Sequence, residues 1–274
     1  MKQHQNTATL FHRLRIILVE TSRPGNIGSV ARAMKTMGFG ELVLVTPRFE
    51  GMLEHEEAVA FASGAQDILA SARIVGSMAE ALEGIHFAAA VSARLREYSP
   101  PVLAPRQFAE QAAAGAELNA ALIFGNERFG LPNGIVEKCN ALINIPANPD
   151  YSSLNLAQAA QVLVYECRMA ALALQAGTPL PGAAATAATT AATTAATTAG
   201  APAIGFQGEA ASLAQIDGMY AHLEQALVAL GFLDANNPRK LMPRLKRMFS
   251  RTQLETEEVN ILRGIARKIT DKFN

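Results

Sequence analysis

The chain has 274 residues, half of them hydrophobic, with 24 basic and 24 acidic side chains. That is enough for one large domain, or one large domain and a small one, around a sizeable core. The longest uncharged stretch, from Met169 to Gly208, is Ala, Thr and Pro without the Leu/Ile/Phe density of a membrane-spanning helix, and the first fifteen residues lack the apolar core of a signal peptide. A cytoplasmic protein without a membrane segment is expected. The zero net charge conceals an asymmetry: Met219 to Asn274 holds ten Lys/Arg and six Asp/Glu, a local +4 balanced by −4 elsewhere. A basic tail suggests contact with a polyanion, although a solvated helix face is the plain alternative. Cys139 and Cys167 lie in apolar segments without a C-x-x-C pattern, and read as buried free thiols.

In chain order, residues 15–19 (RIILV) form the first strand candidate. After Pro24 and Gly25, residues Ile27, Val30, Ala31, Met34 and Met37 recur at helical spacing, with Asn26 as a candidate N-cap and Gly38 as the stop. A second strand is predicted over 41–46, followed by an alanine-rich helical region to about residue 84. Residues 86–92, 120–125 and 141–146 read as further strands, with a short helix over 131–139 between the last two. A long amphipathic helix follows from Leu154 to about Gln175. Strands separated by helices predict a parallel α/β sheet, and continuous apolar runs fit strands covered on both faces. Residues 176–208 contain Ala-Ala-Thr-Thr three times from Ala187 to Thr198 between Pro and Gly residues, a composition that suits a flexible tether. Residues 209–274 read as a helical unit. It contains a run of six basic residues and no acid, Arg239, Lys240, Arg244, Lys246, Arg247 and Arg251, and then a last helix starting near Thr256 with two acids in its first turn. The expected division is 1–175, 176–208 and 209–274.

Several nucleotide-site signatures are absent. The chain has no P-loop, no G-x-G-x-x-G after a strand and no G-x-S-x-G elbow, and its five histidines and two cysteines show no metal-ligand spacing. A nicotinamide-linked oxidoreductase therefore lacks its glycine loop.

Three polar segments stand at strand ends instead. Residues 20–32 contain Asn26 and Arg32, about 1.7 turns apart on a helix, so they need not share a face. An N-cap and a surface arginine are the plain reading there. Residues 123–131 hold Glu127 between Gly125 and Gly130 directly after a buried strand, more charge than a turn needs. Residues 143–156 carry Asn148-Pro149-Asp150, then Ser152, Ser153 and Asn155 ahead of the long helix, where capping requires only one such side chain.

Read together, N-I-G-S-V-A-R-A at 26–33, F-G-N-E-R-F-G-L at 124–131 and N-P-D-Y-S-S-L-N-L-A at 148–157 resemble the three motifs of the SPOUT superfamily of RNA 2′-O-methyltransferases, and the stretch around the first looks like its TrmJ branch. The resemblance spans residues 15–175 and, more weakly, 219–274. It implies a parallel α/β sheet whose C-terminal part, around 120–170, passes through a trefoil knot. It implies an S-adenosylmethionine pocket lined by Val91, Ser92, Ala93, Gly125, Ile145, Ser152, Ser153 and Leu154, and a homodimer whose active site draws on both subunits. Arg32 from the second subunit would stand at the ribose hydroxyl, Asn26 and Glu127 would orient it, and Ser153 and Asn155 would hold ribose and cofactor. No metal is required. The branch points to tRNA, at cytidine or uridine 32 of the anticodon loop, with the basic run from Arg239 to Arg251 against its backbone. Ribosomal RNA, another tRNA site, or a catalytically silent RNA-binding module of the same fold are the alternatives.

Overall fold

A computed structural model describes residues 9–95, 99–115, 117–177, 209–252 and 254–273. The segment read as an Ala-Thr tether lies outside the described residues, apart from its first two positions.

Seven strands form one parallel sheet: β1 Leu14–Val19, β2 Glu41–Val45, β3 Arg73–Val75, β4 Phe87–Val91, β5 Val102–Leu103, β6 Ala120–Phe124 and β7 Ala141–Ile143, in the order β3-β2-β1-β6-β4-β7-β5. All five strands predicted from apolar runs are present. The two edge strands were missed because each is only two or three residues long and largely exposed, so neither shows a run. Side chains alternate across the sheet as the pleat requires. Ile16 and Leu18 face one core, and Ile17 and Val19 face a second on the opposite side.

The first core is covered by α2 (Pro24–Met37), α3 (Glu56–Ala62), α6 (Pro105–Ala114) and α8 (Leu156–Gln175). Short helices α1 (Leu10–Arg13) and α4 (Gln66–Ser71) sit on the same side; α5 (Met78–Ala81) and α7 (Asn133–Val136) serve the other. Helix α2 lies so close to α3 that a Cβ on Gly28 would stand 2.1 Å from the Ala58 carbonyl oxygen. Only glycine allows that approach. Gly38 ends α2 in the left-handed conformation, as predicted. Asn26 does not cap it: the helix begins at Pro24 with Arg23 as N-cap, which places Asn26 inside the first turn and frees its side chain for other partners. Helix α8 starts two residues later than predicted, because Asn155 caps it, accepting from the Ala157 N–H at 2.8 Å.

Three further helices, α9 (Leu213–Ala229), α10 (Leu241–Phe249) and α11 (Thr256–Phe273), have a separate core of Ala211, Met219, Tyr220, Leu233, Met242, Leu254 and Val259. Helix α11 starts at Thr256, with Glu257 and Glu258 in its first turn. Leu213 and Asp217 tie the unit to the sheet body. Leu213 is buried in the body's second core and its N–H donates to the Ile85 carbonyl, while Lys138 pairs with Asp217 at 2.7 Å. Both members of that pair are nearly half exposed, so the leucine contributes more than the charges. Among the described residues no helix is long and apolar enough to cross a membrane, and no cluster of His, Cys, Asp and Glu could hold a metal ion.

Candidate active site

Strands β1 and β6 are neighbours, so the segments leaving their carboxyl ends emerge side by side. The first leaves at Glu20, a non-glycine residue at positive φ, and runs through Thr21 and Ser22 into α2. The second leaves at Gly125, where a Cβ would stand 2.3 Å from the Gly130 carbonyl carbon, so glycine is required for the loop to close on itself. Asn126 staples the two together: its amide donates to the Glu20 carbonyl at 2.7 Å, and its own oxygen accepts from the Arg128 and Phe129 N–H groups. Backbone strain at Glu20 is thus held in place from the neighbouring loop.

Glu127 is the centre of the arrangement. Its Oε1 accepts from Thr21 Oγ1 at 2.9 Å and Asn26 Nδ2 at 2.9 Å; its Oε2 accepts from the Ser22 N–H at 3.0 Å and Ser22 Oγ at 2.8 Å. Burial pushes the carboxyl up, but the hydrogen bonds, led by Asn26 and including its own backbone and Ser22, hold it below the usual carboxylate range. The chain continues through Asn26, whose Oδ1 accepts from Asn155 Nδ2 at 3.0 Å, to the cap of α8. All three segments singled out from the sequence therefore meet in one hydrogen-bonded line. Thr21 and Ser22 were not singled out. The signal was available in their position between a strand end and a Pro-Gly helix start, but hydroxyl residues are common there and say nothing of a carboxylate about a hundred positions away.

Arg32 is not part of this line. It is exposed, has no partner among the described residues, and lies in a shallow groove between α2, α3 and α8 beside Ser29, Thr36, Phe61 and Gln161. Six residues along a helix amount to about 240° of rotation, so Asn26 and Arg32 point in different directions.

The residues expected to line a cofactor pocket sit at adjacent strand ends. Val91 closes β4, and the Ser92 N–H donates to the Ile143 carbonyl at the end of β7. Asn144 Nδ2 reaches the Ser92 and Ala93 carbonyls at 3.1 and 3.2 Å. Gly125 follows β6, on the other side of β4. Ile145 and Leu154 are partly buried against the first core, and Ser152 and Ser153 keep their hydroxyls without partners among the described residues. Small side chains and backbone polar groups of this kind suit an adenosine and an amino-acid moiety, which need close approach and both donors and acceptors.

In the helical unit, Arg239, Lys240, Arg244, Arg247 and Arg251 are exposed around α10. Lys246 departs from the expected basic surface: it is half-buried, with its ammonium 5.9 Å from the centre of the Tyr220 ring. Arg251 donates to the Arg247 carbonyl and borders a cavity of about 240 Å³ between the unit and the body, beside His86 and Gln111.

Sequence and structure comparisons show which family the chain belongs to. The SpoU rRNA Methylase family matches residues 13–165, and the C-terminal domain of the tRNA methyltransferase TrmJ matches residues 214–274. The tRNA (cytidine/uridine-2′-O-)-methyltransferase TrmJ of Cronobacter sakazakii is 41% identical over 97% of this chain and 99% of its own. The tRNA (cytidine/uridine/adenosine-2′-O-)-methyltransferase TrmJ of Pseudomonas aeruginosa is 43% identical over 93% of each. Among solved structures, TrmJ from Z. mobilis superposes with a TM-score of 0.71 at 27% identity, over 93% of this chain and 98% of that one. The chain belongs to the SpoU methylase family, and within it to the TrmJ methyltransferases.

Proposed function

We propose that the chain transfers a methyl group from S-adenosylmethionine to a ribose 2′-hydroxyl of tRNA, at cytidine or uridine 32 of the anticodon loop. The observation that carries the reading is the line Glu127–Asn26–Asn155, which joins the three motif segments at the ends of β1 and β6 and the start of α8. Ligands of parallel α/β sheets bind at such strand ends. The names of the relatives at 41–43% identity support tRNA and the 2′-hydroxyl, and the matched C-terminal domain favours tRNA over ribosomal RNA. In the same reading the segments around 120–170 form the trefoil knot, residues 1–175 and 209–274 are the methyltransferase and RNA-contacting units joined by 176–208, and the protein acts in the cytoplasm.

When bound, the cofactor supplies a sulfonium methyl, so the chemistry needs no metal. Val91, Ser92, Ala93, Gly125, Ile145, Ser152, Ser153 and Leu154 would hold it. What remains for the chain is to align the hydroxyl, whose proton passes to water as its oxygen takes the methyl group. Glu127 is a poor proton acceptor, because both oxygens are occupied by donors and its carboxyl lies below the usual range. Its role is to aim Asn26, and through it Asn155. Ser153, exposed and without a partner among the described residues, reaches the ribose side. Arg32 comes from a second copy of the chain, in a homodimer whose site is shared. Its guanidinium presents a planar fork of donors and no acceptor. It clamps the adjacent phosphate and stabilises the developing alkoxide. Around α10 the exposed Arg239, Lys240, Arg244, Arg247 and Arg251 contact the tRNA backbone, with Lys246 at the margin.

The test is incubation with labelled S-adenosylmethionine and bulk tRNA, followed by nucleoside analysis and mapping. Label in 2′-O-methylcytidine or 2′-O-methyluridine at position 32 is expected. Label confined to base methyl groups, or to ribosomal RNA when both are offered, sinks the reading.

A further inference from the structure

We propose that Phe129, backed by Arg128, is a stacking platform for an unpaired nucleobase of the RNA, next to the nucleotide whose ribose enters the site. The inference rests on the RNA substrate proposed above. Phe129 is 67% exposed. Exposure alone would mean little, since Phe232 is exposed as far and belongs to a different unit. Phe129 differs in how it is held and where. Its backbone is locked: Asn126, only 6% exposed, accepts from the N–H groups of both 128 and 129, and the Gly130 N–H donates to the Asn126 carbonyl at 2.8 Å. Gly130 at φ 70° then reverses the chain, so the ring projects from a rigid turn. A hydrophobic ring presented this way, with little conformational freedom left to lose, is suited to a flat partner.

The ring stands two residues after Glu127, whose carboxylate fixes Asn26 and Asn155. Whatever nucleotide reaches that line brings its neighbours over this turn. Arg128 is also exposed, and its guanidinium lies 5.3 Å from the centre of the Phe129 ring. A cation beside an aromatic face strengthens stacking and attracts the phosphate attached to the stacked base. Bases in single-stranded RNA loops are recognised through such aromatic and guanidinium planes, and the contact tolerates any base because each has a π-face.

The experiment compares full-length wild-type protein with Phe129→Ala, Phe129→Leu and Phe129→Tyr on one unmodified tRNA transcript. It records steady-state methylation, tRNA affinity without turnover, melting temperature and mass in solution by light scattering. By the usual worth of one stacked base, Phe129→Ala should raise KM and weaken tRNA binding by about 5- to 100-fold, with a smaller change in kcat. Phe129→Leu should follow Ala, and Phe129→Tyr should stay near wild type. Arg128→Gln should weaken binding less than Phe129→Ala. The proposal is overturned by unchanged affinity in Phe129→Ala, by wild-type behaviour in Phe129→Leu, or by a Phe129→Ala protein whose mass falls to that of one chain, which would make the ring a subunit contact. A wild-type protein that binds the transcript through Phe129 yet methylates nothing leaves this proposal standing and removes the proposed function. One that neither binds nor methylates tRNA removes both.

Discussion

Helix α2 carries two of the site's polar residues in opposite states. At its start, Asn26 is committed, donating to Glu127 and accepting from Asn155. Less than two turns on, Arg32 is exposed with no partner among the described residues. A neutral amide is held by three elements while a cation waits at the surface. The difference separates two jobs. The carboxylate line is set when the chain folds, before any ligand arrives. The guanidinium is left for what comes later, a phosphate or a second subunit.

The largest effect that tests this separation belongs to Arg32. Arg32→Ala removes no hydrogen bond or ion pair among the described residues, so melting temperature and cofactor binding should stay near wild type. Methyl transfer should fall by about 100- to 1000-fold or more, the usual loss when a group that stabilises developing charge is deleted. Mixing it with a Glu127→Ala protein should restore part of the activity if the site is shared, because each hybrid dimer then holds one intact site. No recovery after subunit exchange would break the assignment of Arg32 to the partner.

Glu127 should behave in the opposite way, because its loss is felt in folding as well as in rate. Glu127→Gln keeps the shape but exchanges one of the two acceptor oxygens, which receive Thr21, Ser22 and Asn26, for a donor amide. Transfer should fall by about 10- to 100-fold as Asn26 and Asn155 lose their aim. The pH dependence has a definite sign. The folded carboxyl lies below its ordinary value of 4.5, so its stabilisation is fully present above that value and is lost as pH falls through the lower folded one. Denaturation at pH 7 and at pH 3 should therefore show a wild-type advantage over Glu127→Gln that is large at the first pH and reduced at the second. An equal difference at both would mean that the carboxylate is not held ionised.

Much of this was legible in the sequence because it depends on short-range pattern. Strands β1, β2, β4, β6 and β7 show as apolar runs, Gly38 as a helix stop, and Glu127 as a charge with no reason to follow a buried strand. What stayed hidden depends on partners distant in the chain. Asn26 looks like a cap, because only the fold brings a carboxylate to its amide across 101 positions and makes Arg23 the cap instead. Lys246 looks like one more surface cation until Tyr220 is placed beneath it. The pairing of Thr21 and Ser22 with Glu127 has no local signature at all.

A smaller effect is expected at the basic helix, where the proposed contacts are with solvent-screened phosphates. Arg244→Ala should weaken tRNA binding a few-fold and lower the slope of log affinity against log salt by about 1. Lys246→Ala should change that slope less, because Lys246 is half-buried over the Tyr220 ring. Equal slopes for the two variants would remove the distinction between them.

The smallest effects, and the finest test of the committed half of the site, fall on the two hydroxyls. Both donate to Glu127 at similar distances, Thr21 at 2.9 Å and Ser22 at 2.8 Å. They differ in access to water: Thr21 is fully buried, Ser22 only partly. Thr21→Val keeps the volume but leaves one carboxylate lone pair facing an apolar methyl, with no room for solvent to replace the lost donor. A hydrogen bond to a charged group is worth about 1.5–3 kcal/mol in that situation. In Ser22→Ala the backbone N–H still donates to the same oxygen and water can take the place of Oγ, so the cost should be nearer about 0.5–1 kcal/mol, a few-fold in rate. Losing a donor must also raise the Glu127 carboxyl toward its ordinary value, so each variant should begin to lose stability at a higher pH than wild type. If the order is reversed, water rather than Thr21 supports that face of the carboxylate, and the line from Glu127 to Asn155 is less rigid than its geometry indicates.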